Sequence, residues 1–67
     1  MDLYEYYGPV VRIDSFGNEI EIDPLYKAST YAESEKKARN NLIYRYRRMQ
    51  GYSNAVRLKL PAKFRVS

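Results

Sequence analysis

From Val56 to Val66 every even position is apolar (Val56, Leu58, Leu60, Ala62, Phe64, Val66), and Arg57, Lys59, Pro61, Lys63 and Arg65 stand between them. A period of two turns alternate side chains to opposite faces, so this run predicts a strand with one buried face. Pro61 lacks a donor for a ladder and divides the run or places it at an edge. A second extended segment, Leu3 to Asp14, is rich in Tyr, Val and Ile. Gly8-Pro9 interrupts it and marks an edge, a bulge or a short break, which leaves open which of Tyr4, Tyr6 and Tyr7 point inward. Ser15-Phe16-Gly17-Asn18 is a turn signal and predicts a hairpin. The returning strand opens with the strict alternation Glu19-Ile20-Glu21-Ile22-Asp23. It breaks at Asp23-Pro24 and resumes an extended path from Tyr26 to Tyr31.

Between these extended runs lies one helical segment. Ser34 is placed as its N-cap, with Glu35 against the positive end of the helix dipole. Thr30 with Glu33 forms a rival capping box one turn earlier. The helix runs to about Gln50, Gly51 follows as a left-handed C-terminal residue, and Arg45, Arg47 and Arg48 crowd the last turns. At about 100° per residue, Ala38, Leu42, Arg45, Tyr46 and Met49 share one side. Lys36, Lys37, Asn40, Tyr44, Arg47 and Arg48 share the other, with Ile43 and Arg39 on a flank. The predicted fold is α+β, a single domain over 1–67 in the order β-β-α-β. It has a small, mainly antiparallel three-stranded sheet and one helix packed on one face. Of the two arrangements a right-handed crossover leaves, order 2-1-3 with the last strand antiparallel to the first is preferred over a parallel pairing with the second.

Composition narrows the chemistry. The 67 residues contain no Cys and no His. Disulfides are therefore excluded, as are ordinary zinc, haem and iron–sulfur sites, and no cofactor is expected. A nucleophile–His pair cannot form. The three glycines, Gly8, Gly17 and Gly51, stand apart and make no phosphate loop. The acids of the second strand alternate onto an exposed face rather than a cleft, which argues against general acid–base work and against an enzyme. No segment offers the ~20 apolar residues a membrane helix needs, and the N-terminus lacks the regions of a secretory signal. The expectation is a soluble cytoplasmic protein. Eight tyrosines and no tryptophan give a core whose rings carry polar tips at its margin.

Charge changes the picture most. The net charge of +4 divides unevenly. Residues 1–33 hold seven acids and two bases (−5), and residues 34–67 hold one acid and ten bases (+9). Glu19, Glu21 and Asp23 are expected on the outer face of the second strand, and Arg57, Lys59, Lys63 and Arg65 on that of the third, where opposite charges can pair. The helix stripe faces away from the sheet and cannot be neutralised by those acids. Its mixture of Lys, Arg, Asn and Tyr is the set that contacts phosphates, sugars and base edges. The candidate nucleic-acid-binding residues are thus Lys36, Lys37, Asn40, Tyr44, Arg47 and Arg48, with Arg57, Lys59, Lys63 and Arg65 extending the patch. The bland alternative is that such a run is simply a solvated helix face.

The stretch Ser34-Glu35-Lys36-Lys37-Ala38-Arg39-Asn40-Asn41-Leu42, followed by Tyr44-Arg45-Tyr46-Arg47, Gly51-Tyr52 and Val56-Arg57-Leu58-Lys59-Leu60-Pro61, resembles short uncharacterised proteins of phages and integrative elements in Gram-positive bacteria. The resemblance covers the second half of the chain and lends no function, catalytic residue or ligand. It implies a mobile-element setting, in which small proteins serve as DNA-binding accessories or inhibitors of host enzymes. The expected function is a small non-enzymatic nucleic-acid-binding domain, with DNA ahead of RNA as partner. The alternative is a protein-interaction module that docks on an acidic protein surface or self-associates as a homodimer. The dipolar charge layout and surplus tyrosines suit that second reading.

Overall fold

The tyrosine-rich N-terminal segment becomes the central strand of the sheet. In the computed structural model, which describes all residues from Met1 to Ser67, strand β1 spans Asp2–Ile13 and runs unbroken through Gly8-Pro9. Strand β2, Glu19–Ala32, returns antiparallel along one side of it, from Asp2 opposite Ala32 to Ile13 opposite Glu19. Asp14 closes the hairpin by accepting from the backbone N–H groups of Phe16 and Asn18, each at 2.9 Å. These bonds, Asn18 first, hold its carboxyl below the usual carboxylate range.

β2 also continues through Asp23-Pro24, where a break is predicted. The register moves from Gly8–Tyr26 to Val10–Asp23 and then to Val11–Glu21, so β2 carries extra residues here. A bulge absorbs the missing proline donor without ending the strand. It also changes which side Asp23 faces. Asp23 lies opposite the fully buried Val10 and accepts from the Tyr46 hydroxyl at 3.2 Å. It therefore leaves the outer acidic row that simple alternation assigns it to.

The helix forms where its caps predict it. α1 spans Glu35–Gln50, the Ser34 side chain accepts from the Lys37 N–H, and Gly51 takes φ 74°, where a side chain would be strained. Ala38, Leu42 and Tyr46 are buried beneath it, but Met49, expected with them, stays 60% exposed.

The C-terminal run keeps its alternation but not its continuity. It divides at Pro61 into β3, Arg57–Lys59, and β4, Arg65–Val66, both antiparallel to β1 on the edge opposite β2. The sheet thus has four strands in the order β2-β1-β3, with β4 beside β1 at its other end. Between β3 and β4 the chain presses on Gly8, where an added Cβ would stand 2.7 Å from that of Ala62. Only glycine leaves room for that approach.

The core lies between sheet and helix. Tyr6, Val10, Tyr26, Leu42, Tyr46, Leu58 and Leu60 form its main cluster, and Tyr4, Ala32 and Ala38 a second one bridged through Phe64. Leu42 and Leu60 are fully buried, each contributing about 2 kcal/mol by removal from water. Tyr26 and Tyr46 meet edge to face at 4.9 Å between ring centres. Nothing covers the other face of the sheet.

Candidate functional site

Because Tyr4, Tyr6, Tyr26 and Ala32 turn toward the core, their neighbours in each strand turn the other way. Register places Leu3 opposite Tyr31, Glu5 opposite Ser29, and Tyr7 opposite Lys27, all on the open face. Arg65 of β4 lies on the far side of Glu5 and shares that face. With Lys63 these side chains surround a cleft of about 570 Å³ lined by Glu5, Tyr6, Tyr7, Lys27, Ala28, Ser29, Lys63 and Arg65. Tyr7 is 64% exposed and Tyr31 66%.

The predicted basic residues do not form one patch. The strand set stands on the open sheet face, and the helix set lies on the opposite side of the molecule. Arg57, Lys59, Lys63 and Arg65 therefore do not extend the helix stripe. The cause is the alternation that defines them: Leu58, Leu60, Ala62 and Phe64 pack into or against the core, which sends the bases at the alternate positions away from it.

Along the helix as a whole, own-chain partners take up much of the charge. Lys37 Nζ is 2.8 Å from Glu33 Oε2, and Arg39 lies 3.5 Å from Glu35. Arg47 Nε donates to the Val56 carbonyl at 2.9 Å, and Arg39 donates to the Leu60 carbonyl while its guanidinium lies 4.9 Å over the Phe64 ring. Arg45 Nη1 donates to the Ser29 carbonyl on β2 at 2.8 Å. Arg48 rests 5.9 Å over the exposed Tyr44 ring. Lys36 and Asn40 remain exposed and make no side-chain hydrogen bond or ion pair. A shallow groove between α1 and β2 is lined by Thr30, Asn41, Tyr44, Arg45, Arg48 and Met49.

On the open face the predicted cross-strand pairing occurs once. Lys59 Nζ reaches Glu19 Oε2 at 3.1 Å across the central strand. The three ion pairs of the chain are this one and the two on the helix, so Lys27, Lys63 and Arg65 belong to none. Their only acidic neighbour in the cleft is Glu5, whose carboxylate accepts from the Ser67 hydroxyl at 3.4 Å.

Reasoning from the sequence alone passes over Tyr7, Lys27 and Tyr31, because the first half of the chain reads as acidic. The usable signal is the odd parity of Tyr7, Lys27, Ser29 and Tyr31 against the buried Tyr6, Tyr26 and Ala32. That parity is fixed only once Gly8-Pro9 is known not to break β1.

Comparison with models of known protein families, with curated protein sequences and with solved structures finds no match.

Proposed function

We propose that the chain is a nucleic-acid-binding domain that uses the open face of its sheet. One observation carries the reading: Lys27, Lys63 and Arg65 surround a single cleft, none is held in an ion pair, and one carboxylate stands among them. A cation already paired with a carboxylate must exchange partners to meet a phosphate, and the gain is small. An unpaired one meets it directly and releases the counterions condensed on the nucleic acid. The bases and tyrosines of this face act as binding groups.

The test is fluorescence anisotropy of the full chain with labelled oligonucleotides at about 50 and 200 mM salt. Three phosphate contacts give a salt slope near −2 to −3, so affinity falls roughly 20- to 40-fold over that range. The double substitution K63E/R65E removes at least tenfold of the affinity, while K36E/R48E on the helix changes it by less than threefold. Binding that is indifferent to salt, or lost with the helix pair and kept with the sheet pair, refutes this choice of surface.

A further inference from the structure

The exposed tyrosines say more than the charges do. Tyr7 and Tyr31 stand on the same open face as Lys27, with Lys63 and Arg65 at the cleft. Each ring is about two-thirds exposed, and neither takes part in an aromatic pair. A phosphate surface does not need uncovered rings. Leaving them in water costs the free energy that burial would supply.

We infer that the ligand of this face is single-stranded nucleic acid, its bases stacked on Tyr7 and Tyr31 and its phosphates held by Lys27, Lys63 and Arg65. The inference rests on the nucleic-acid reading above and names the strand state. A duplex keeps its bases stacked on one another, so it offers no base face to Tyr7 or Tyr31. A single strand can splay its bases onto aromatic rings, and every base has a face to offer.

Geometry sets a minimum length. Tyr7 lies opposite Lys27, and Tyr31 is four residues further along β2, or about 13 Å at ~3.3 Å per residue. That exceeds the ~3.4 Å step between stacked neighbours. The two rings therefore take bases separated along the strand, and about five nucleotides, roughly four such steps, are needed to engage both. Glu5 lies between the two ring positions, opposite Ser29 and Arg65. Its carboxylate keeps phosphates to the margin and accepts from an exocyclic amino group of a base.

A second copy is the rival occupant, and charge opposes it. Contact that sets the two clefts against each other brings Lys27, Lys63 and Arg65 of one chain against the same three of the other, with one Glu5 apiece within the cleft; Glu19 and Glu21 stand at the other end of the face, where Lys59 already engages Glu19. Opposite potentials favour association, and like potentials oppose it. The chemistry that complements this face is anionic and aromatic together.

The closing experiment measures anisotropy with labelled DNA and RNA single strands of two and eight nucleotides and with the matching eight-pair duplex, using the full chain. The eight-nucleotide strand of either sugar binds at least tenfold tighter than the duplex, and the dinucleotide loses at least tenfold relative to it. Tyr7→Ala and Tyr31→Ala each weaken the longer strand about tenfold, whereas Tyr7→Phe and Tyr31→Phe retain binding because stacking needs the ring and not the hydroxyl. Circular dichroism of each variant separates lost binding from lost fold. Equal or tighter binding of duplex, unaffected by the alanine variants, overturns the single-strand inference and leaves the nucleic-acid reading standing. No binding to any probe at low salt overturns both.

Discussion

The helix face and the open sheet face carry similar charge and use it differently. On α1, three guanidiniums reach main-chain carbonyls of neighbouring segments: Arg39 that of Leu60, Arg45 that of Ser29, and Arg47 that of Val56. Val56 and Leu60 flank the short β3, and Ser29 lies on the edge strand β2. Such carbonyls lie beside few ladder partners and need donors from elsewhere. A helix rich in arginine, lying alongside them, supplies those donors. On the open face Lys27, Lys63 and Arg65 make no side-chain hydrogen bond or ion pair with their own chain. Counting bases along a sequence therefore overstates how much charge is free to meet a ligand, and overstates it most where chain ends and short strands lie nearby.

The largest effect that probes this division comes from pH. Burial, reinforced by the neighbouring Asp23 carboxylate, pushes the Tyr46 hydroxyl up to about 12 from its ordinary 10.0. Burial raises Tyr6 and Tyr26 as well. A raised value in the folded state means that the folded chain holds its proton where the unfolded chain has lost it. Stability is then fully present below about pH 10 and is lost as pH rises toward 12. Thermal midpoints should be level from pH 7 to 9 and fall steeply above 10. Tyr46→Phe should flatten that fall, and an unchanged alkaline slope would show that the core does not depend on this hydroxyl.

Next in size are the carbonyl bonds. Arg39→Ala and Arg47→Ala should each lower unfolding free energy by about 1–2 kcal/mol in urea titrations, since a charged donor is lost and a partly buried acceptor is left bare. Arg39 also gives up its contact with Phe64. Losses below about 0.3 kcal/mol would place these arginines in the same class as the free bases of the sheet.

Much of the fold is legible in the sequence because its signals are local. Ser34 and Gly51 punctuate the helix, the period-2 run from Val56 marks the strands that follow, and the turn at Ser15–Asn18 ties β1 to β2. The prolines are read unevenly. At Gly8-Pro9 the strand passes through with a register shift, the bulge among the alternatives read from the sequence, whereas at Asp23-Pro24, where a break is predicted, β2 continues. Pro61 does divide its run. The local sequence is similar in each case, and the difference lies in whether a neighbouring strand needs that N–H. The candidate site suffers from the same blindness. Lys63 and Arg65 can be picked out from charge, but that Lys27, Tyr7 and Tyr31 join them depends on the 2-1-3 order and on unbroken register.

A smaller effect tests the core under the helix. The Tyr26 hydroxyl is buried and reaches no hydrogen-bond partner. Tyr26→Phe keeps the ring and its edge contact with Tyr46 and removes the orphaned group. It should raise stability by about 1 kcal/mol, read from the denaturation midpoint. A loss of stability would mean that the hydroxyl is bonded after all.

The smallest expected change is the one on which the comparison turns. Lys27→Ala, Lys63→Ala and Arg65→Ala, combined, should shift unfolding free energy by no more than about 0.5 kcal/mol, because each base is exposed, unpaired and away from the core. Removing three like charges from one cleft even relieves a little repulsion, offset by lost packing of the long stems against the sheet. The same triple variant should lose its ligand. A protein that keeps its midpoint and loses its affinity has bases held in reserve for a partner. If the triple variant instead unfolds more than about 1 kcal/mol more easily, these bases support the fold as those of the helix do, and the open face has no claim to be the binding surface.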